Sequence, residues 1–281
     1  MKEAIKKAEV LIEALPYIKK FQQKIFVIKY GGSILSEDRV RKSVLEDIAF
    51  LRYTGIRPIL VHGGGANITE RLKKHKISTD FVEGMRVTDA FTLKIVEEEL
   101  SKLNDLIVKE ITSHGVMAKG FKKEDKLIKA IKKEAKIDLG FVGEIVDFDK
   151  EKLEETLKKS IPVISPLGFD DGTMYNINAD EVAFFIASKL KAEKLVLLTN
   201  VLGVMRNTED EGSLISTIKI ADAENLIKEK TITEGMVPKI RAAVKAIEEG
   251  VGKAHIIDAK IPHAILLEIF TNEGIGTEIV R

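Results

Sequence analysis

The chain has 281 residues, 44% hydrophobic and 32% charged, and its 45 basic and 44 acidic side chains leave a formal charge of +1. That length holds one large domain or two lobes, and so even a charge balance points away from nucleic acid as a partner. With no cysteine and five scattered histidines, disulfides and thiolate chemistry are excluded and a zinc site is not expected.

The start, Met1-Lys2-Glu3-Ala4, has no signal-peptide core, and no apolar run approaches the roughly 18 residues that span a bilayer, so a cytoplasmic location is expected. Residues 1–22 read as a helix with a thin apolar stripe of Ala4, Ala8, Leu11, Leu15 and Ile18. Pro16 falls inside it and predicts a kink. Such a helix packs either on its own domain or on another subunit.

The run Ile25-Phe26-Val27-Ile28 predicts a buried strand, followed by Lys29-Tyr30-Gly31-Gly32-Ser33. An amphipathic helix is expected over Val40–Tyr53, then a second strand, Pro58-Ile59-Leu60-Val61, ending in His62-Gly63-Gly64-Gly65. A helix over 66–74 completes the strand–helix–strand–helix order of a βαβ unit. Thr88 or Asp89 then caps a helix reaching about Ser113. Residues 117–149 read as hairpins over one sheet edge. Ile161–Ser165 is another buried strand, followed by a polar glycine turn at 168–173. A helix over 182–190, a strand over Lys194–Thr199, helices near 221–229 and 238–249, a strand over 254–257, a helix over 264–270 and a strand over 277–280 complete an α/β fold.

Two glycine loops ending neighbouring strands, one with Lys29 beside it, suggest an anion site at the carboxyl edge of an open sheet. Neither GxxxxGK[ST] nor GxGxxG is present, so the P-loop and the dinucleotide fingerprint are set aside. Asn178 can cap the helix that follows, with Glu181 closing a capping box and Asp180 favouring the helix dipole. That leaves Asn176 unexplained, and two Asn side chains two apart on an extended approach face the same way. Pro238 suits a first helical position, which puts Lys239 in the first turn. A cation there is either solvated or aimed at an anion.

In this order the motifs resemble the amino acid kinase family over essentially the whole chain: KYGGS at 29–33, HGGG at 62–65, GMRVTD at 84–89, YNINAD at 175–180, LLTNVLGV at 197–204, GMVPK at 235–239 and GIGT at 274–277. The resemblance implies a three-layer αβα sandwich with a mainly parallel central sheet. It divides the chain into an N-terminal kinked helix (1–22), an acyl amino acid-binding and dimerising lobe (23–175) and an ATP-binding lobe (176–281). It is strongest to the branch that phosphorylates the side-chain carboxylate of N-acetyl-L-glutamate with ATP in arginine biosynthesis. Related readings are a kinase of an N-blocked aminoadipate in lysine biosynthesis and a catalytically silent arginine-sensing ring protein.

The resemblance also implies roles. Lys29 and Lys239 would neutralise the transferring phosphoryl group and Asp180 would hold the two lysines together. Gly64, Gly65, Arg86, Asn176 and Asn178 would bind the acyl amino acid. Gly31, Gly32, Thr199, Asn200, Gly203, Gly235 and Met236 would line the nucleotide, with Mg2+ carried by ATP rather than by protein side chains. Tyr17, Lys194, His263, Glu268, Gly274, Gly276 and Thr277 would form a site for L-arginine as a feedback inhibitor. The N-terminal helix would assemble homodimers into a hexamer, and the resemblance leaves room for a nitrogen-signalling regulator protein as a partner. Three positions depart from the family pattern: Asn104-Asp105 where a lysine often follows the asparagine, the segment 121–126 where glycine is usual, and Asn200 where many relatives have Asp.

Overall fold

The computed structural model describes residues 1–31, 35, 37–232, 235–271 and 274–281, apart from the side chains of residues 2–4, 6–8, 10 and 11. The N-terminal half runs α1 (Lys2–Phe21), β1 (Ile25–Tyr30), α2 (Asp38–Tyr53), β2 (Arg57–His62), α3 (Gly65–Lys74), β3 (Phe81–Val82), β4 (Met85–Arg86), α4 (Ala90–Ser113) and β5 (Ala118–Phe121). Then come β6 (Ile128–Lys132), β7 (Gly143–Phe148), α5 (Lys150–Lys159), β8 (Ile161–Ile164), β9 (Leu167–Asp170) and β10 (Thr173–Asn176). The rest is α6 (Ala179–Leu190), β11 (Lys194–Thr199), β12 (Thr217–Lys219), α7 (Ile220–Lys228), α8 (Val237–Glu248), β13 (Lys253–Asp258), α9 (Ala264–Phe270) and β14 (Thr277–Val280).

Eight strands form the central sheet in the order β12-β14-β13-β11-β1-β2-β8-β5. Every pairing in it is parallel except β13 with β14. Both faces are covered, so the central strands are apolar at consecutive positions rather than alternately. On β1, Val27 enters one core with residues of α5, α6 and α8, while Phe26, Ile28 and Tyr30 enter the other with residues of α2, α4 and α9. This is a three-layer αβα sandwich. A division at 175/176 falls inside β10, one residue before its end, and the sheet runs across it, because β1 pairs with β11 from Phe26↔Lys194 to Tyr30↔Leu198.

Most expected elements are present within a few residues. The segment 117–149 differs in part: β6 and β7 do pair as an antiparallel hairpin, in a second sheet ordered β10-β9-β6-β7, whereas β5 is an edge strand of the main sheet. The expected glycine turn at 168–173 is the tip of the β9–β10 hairpin, where Asp171 and Gly172 both have positive φ, +42° and +88°. Helix α5 has no counterpart in the predicted elements. Helix α8 starts at Val237, so Pro238 is its second residue. Helix α1 runs through Pro16, packs on α9, and leaves Ile5, Ile12 and Leu15 exposed. Gly32 and Ser33 of the first glycine motif, and the side chains of Ala4, Ala8 and Leu11, lie outside the described residues.

Candidate active site

Strand alternation decides where Lys29 points. It shares the face of Val27, the face covered by α6 and α8, and so its ammonium group meets the start of α6. Gly31 keeps that path clear, since a Cβ there would lie 3.0 Å from Lys29 Nζ. The two glycine loops adjoin: Gly63 N–H donates to Tyr30 O at 2.8 Å, and a Cβ on Gly63 would lie 3.4 Å from the Gly31 Cα.

Asn178 caps α6, but its carbonyl oxygen accepts from Asp180 N–H at 2.8 Å and no capping box forms with Glu181. Glu181 instead pairs with Lys133 at 2.6 Å. The cap sets Asp180 in the first turn, between two lysines. Its Oδ1 is 2.9 Å from Lys29 Nζ, an ion pair without hydrogen-bond alignment, and its Oδ2 accepts from Lys239 Nζ. Burial would raise the Asp180 carboxyl, but Lys29 and Lys239 outweigh it and hold the group below its ordinary value. The structure thus joins three side chains 151 and 59 residues apart in sequence.

Next to this cluster is a cavity of about 250 Å³, lined by Lys29, Gly64, Gly65, Arg86, Asn176, Asn178 and Asp180 together with apolar side chains such as Ile68, Leu100 and Val142. All five predicted substrate residues therefore reach one space. Gly64 is at the N-cap of α3, and a Cβ there would lie 2.9 Å from Leu100 Cδ2. Arg86 is buried, donates to Thr79 Oγ1, Thr69 Oγ1 and Gly65 O, and stacks on Phe81. Burial lowers its pKa, and among the described residues no carboxylate pairs with it. Asn176 donates to Thr88 Oγ1 at 3.2 Å.

The predicted nucleotide residues are placed at the carboxyl end of β11 and the start of α8. Thr199 Oγ1 sits 2.9 Å from Val201 O, Asn200 is exposed, and Gly235 has open space around it. Gly203 and Met236 line a cleft of about 60 Å³, too small alone to enclose a nucleotide. Among the described residues no group of three or more His, Asp or Glu gathers in a metal-binding arrangement. Asp180 faces ammonium groups with both oxygens, so it offers little to a cation.

A second cavity of about 300 Å³ is lined by Tyr17, Lys194, Glu268, Gly274 and Gly276, five of the seven residues predicted for an effector. Glu268 Oε1 is 2.7 Å from His255 Nδ1, whose Nε2 is 2.8 Å from Lys194 Nζ. Glu268 Oε2 accepts from the N–H groups of Ile275 and Gly276 at 2.8 and 3.1 Å. Burial lowers the Lys194 ammonium to about 8. His263 is elsewhere, with Nδ1 2.7 Å from Asp47 of α2. Thr277 is fully buried and accepts from Val204 N–H at 2.8 Å, next to Gly203.

Sequence reasoning missed Thr69, Thr79 and Phe81 around Arg86, because the two-residue strands that bring Phe81 opposite Arg86 carry no readable period. It also missed Lys20, Lys253, Glu193 and Glu278 in the second cavity. These are single charges on unrelated elements, with no spacing to flag them.

Residues 24–258 match the Amino acid kinase family. The chain is 49% identical to the acetylglutamate kinase of Caldanaerobacter subterraneus subsp. tengcongensis, over 99% of this chain and 94% of that protein. Among solved structures it is similar to an N-acetylglutamate synthase from Neisseria gonorrhoeae complexed with coenzyme A and N-acetyl-glutamate, at TM-score 0.88 and 26% identity, covering 98% of this chain and 63% of that one. The same synthase complexed with coenzyme A and L-arginine is similar at TM-score 0.84 and 25% identity, covering 97% of this chain and 65% of that one.

Proposed function

This chain belongs to the amino acid kinase family and is a kinase, and from that premise we propose that it transfers the γ-phosphoryl group of ATP to the side-chain carboxylate of N-acetyl-L-glutamate, yielding an acyl phosphate and ADP in arginine biosynthesis. The observation that carries the reading is Asp180 held between Lys29 and Lys239, beside a cavity containing a buried arginine whose partners among the described residues are neutral. Both reactants are anions, and their approach needs positive charge already in place. Lys29 and Lys239 supply it to the phosphoryl oxygens as charge spreads over them. Asp180 keeps the two ammonium groups together until ATP arrives. The acceptor carboxylate is ionised at neutral pH, so no general base is required.

Arg86 grips the α-carboxylate of the substrate, Asn176 and Asn178 face its acetamido group, and the Gly64 and Gly65 amides close the loop over it. Gly31 and Gly32 serve the phosphates, and Thr199, Asn200, Gly203, Gly235 and Met236 border the nucleotide. Mg2+ bound with ATP would share the charge of the phosphates. The chain between 23 and 175 acts as the substrate lobe and 176–281 as the ATP lobe. An ADP-release assay tests the reaction: turnover with N-acetyl-L-glutamate is expected to exceed that with N-acetyl-aminoadipate by about 10-fold or more, the scale of one methylene. Absence of turnover with N-acetyl-L-glutamate would sink the reading.

L-Arginine is the proposed inhibitor, bound in the second cavity, where three lysines and three glutamates suit a ligand of both charges. The likeness to a synthase structure complexed with L-arginine supports this assignment. Residues 1–22 are the proposed ring-forming segment, supported by the exposed Ile5, Ile12 and Leu15. A sizing measurement returning only a dimer would remove the hexamer.

A further inference from the structure

Arg86 is held more firmly than a surface arginine meeting its ligand would be. It is 7% exposed, and the Phe81 ring lies 4.6 Å from its guanidinium carbon and covers one face. Of five N–H donors on a guanidinium, three are engaged by protein. Nη1 donates to Thr79 Oγ1 at 2.6 Å, and Nη2 donates to Thr69 Oγ1 at 2.6 Å and to Gly65 O at 3.1 Å.

The Thr69 hydroxyl donates its single proton to Gly65 O at 2.8 Å, so towards Arg86 it can only accept. Arg86, Thr69 and the glycine-loop carbonyl therefore form one closed knot at the start of α3. Thr79, just before β3, fixes the other end of the guanidinium plane. Neither threonine lines the cavity that Arg86 reaches. Both partners are neutral, so they orient the charge without cancelling it, and a buried cation left in this state favours an incoming anion.

We propose that Thr79 and Thr69 are positioning residues that aim Arg86 at the α-carboxylate of the acyl amino acid, and that the preference for a substrate with a free α-carboxylate depends on them. This rests on the reading of Arg86 as the carboxylate grip. A planar fork recognises a carboxylate only in a narrow range of orientation, so loss of either hydroxyl lets the plane tilt and blunts the recognition.

The test uses steady-state kinetics with N-acetyl-L-glutamate and with its α-carboxamide, whose side-chain carboxylate remains available for phosphorylation. The wild type should favour the acid by about 100-fold in kcat/KM. Thr79→Val and Thr69→Val should each raise KM for the acid about 10-fold, leave KM for ATP and kcat within about twofold, and cut the acid-to-amide ratio to about 10. Thr79→Ser and Thr69→Ser, which keep the acceptor, should behave as wild type. If a valine variant does not fold, the corresponding alanine variant carries the same expectation. A wild type with no acid preference overturns the role of Arg86 and this proposal with it. A wild type that prefers the acid, with valine variants that keep the full ratio, overturns the positioning role alone, and so does a fall in kcat at unchanged ratio.

Discussion

The cavity around Arg86 and the cavity around Lys194 are similar in size, about 250 and 300 Å³, yet they arrange charge in different ways. In the first, Lys29 and Arg86 face the space and Lys239 stands behind Asp180, so among the described residues three cations stand against one carboxylate, which pairs with the two lysines. In the second, Lys20, Lys194 and Lys253 are matched by Glu193, Glu268 and Glu278. A unit charge pair at 4 Å is worth about 4 kcal/mol at an effective dielectric of 20, so a surplus of two cations is a strong bias. The surplus suits two anions that must be brought together against their repulsion. The balance suits a ligand carrying both signs, held without chemistry. Resting charge, more than shape, separates the proposed reaction site from the proposed effector site.

The sharpest way to break that contrast is to remove the surplus. Lys29→Ala and Lys239→Ala should each lower kcat by about 100-fold or more, the scale of losing a donor to transition-state charge. Near-normal kcat in either variant would reassign that lysine to structure. The matching change in the balanced cavity is Glu268→Gln, which removes a charge and retains an acceptor for the Ile275 and Gly276 N–H groups. It should leave kcat within about twofold and raise the L-arginine concentration for half-inhibition by about 10- to 100-fold, the worth of a charged hydrogen bond. A loss of turnover comparable to that of Lys239→Ala would show that the two cavities are not separable.

Sequence pattern reached the layers and the glycine loops because those follow from local rules. Alternation of Val27 against Phe26 and Ile28 gives a strand covered on both faces, and the face of Val27 also fixes that of Lys29. What Lys29 meets there was beyond such rules. Asp180 reads locally as a favourable first-turn acid and Lys239 as an unfavourable first-turn cation, and only the packing of α6 against β1 and α8 makes them one unit. Capping misled at Glu181, because a lysine from beyond β6 offered it a stronger partner than its own helix. His263 was misplaced for a similar reason, with Asp47 of α2 reaching it across 216 positions. The lysine missing after Asn104 has a physical reading too: Asp105 pairs with Lys122 at 2.8 Å, and Asn104 is buried against His62 and Ser165.

That buried group offers the finest comparison between the cavities, since each has a histidine behind it. His255 touches a carboxylate and an ammonium group, whereas the polar partners of His62 among the described residues are Ser165 Oγ, Asn104 Nδ2 and the Gly63 carbonyl. Burial pushes His62 down to about 4 from an ordinary 6.5, opposed in part by Gly63 O. Between these values the unfolded chain binds a proton that the native state does not. Stability therefore rises with pH across this window, and acidification from 6.5 to 4 withdraws about 3 kcal/mol through this residue. Urea unfolding of the wild type at pH 7, 5.5 and 4.5 should show that loss, and His62→Gln should lower the starting stability yet flatten the slope. Equal slopes in the two proteins would mean that His62 takes up its proton in the native state, and that the wall behind the glycine loop admits charge as the Lys194 cavity does.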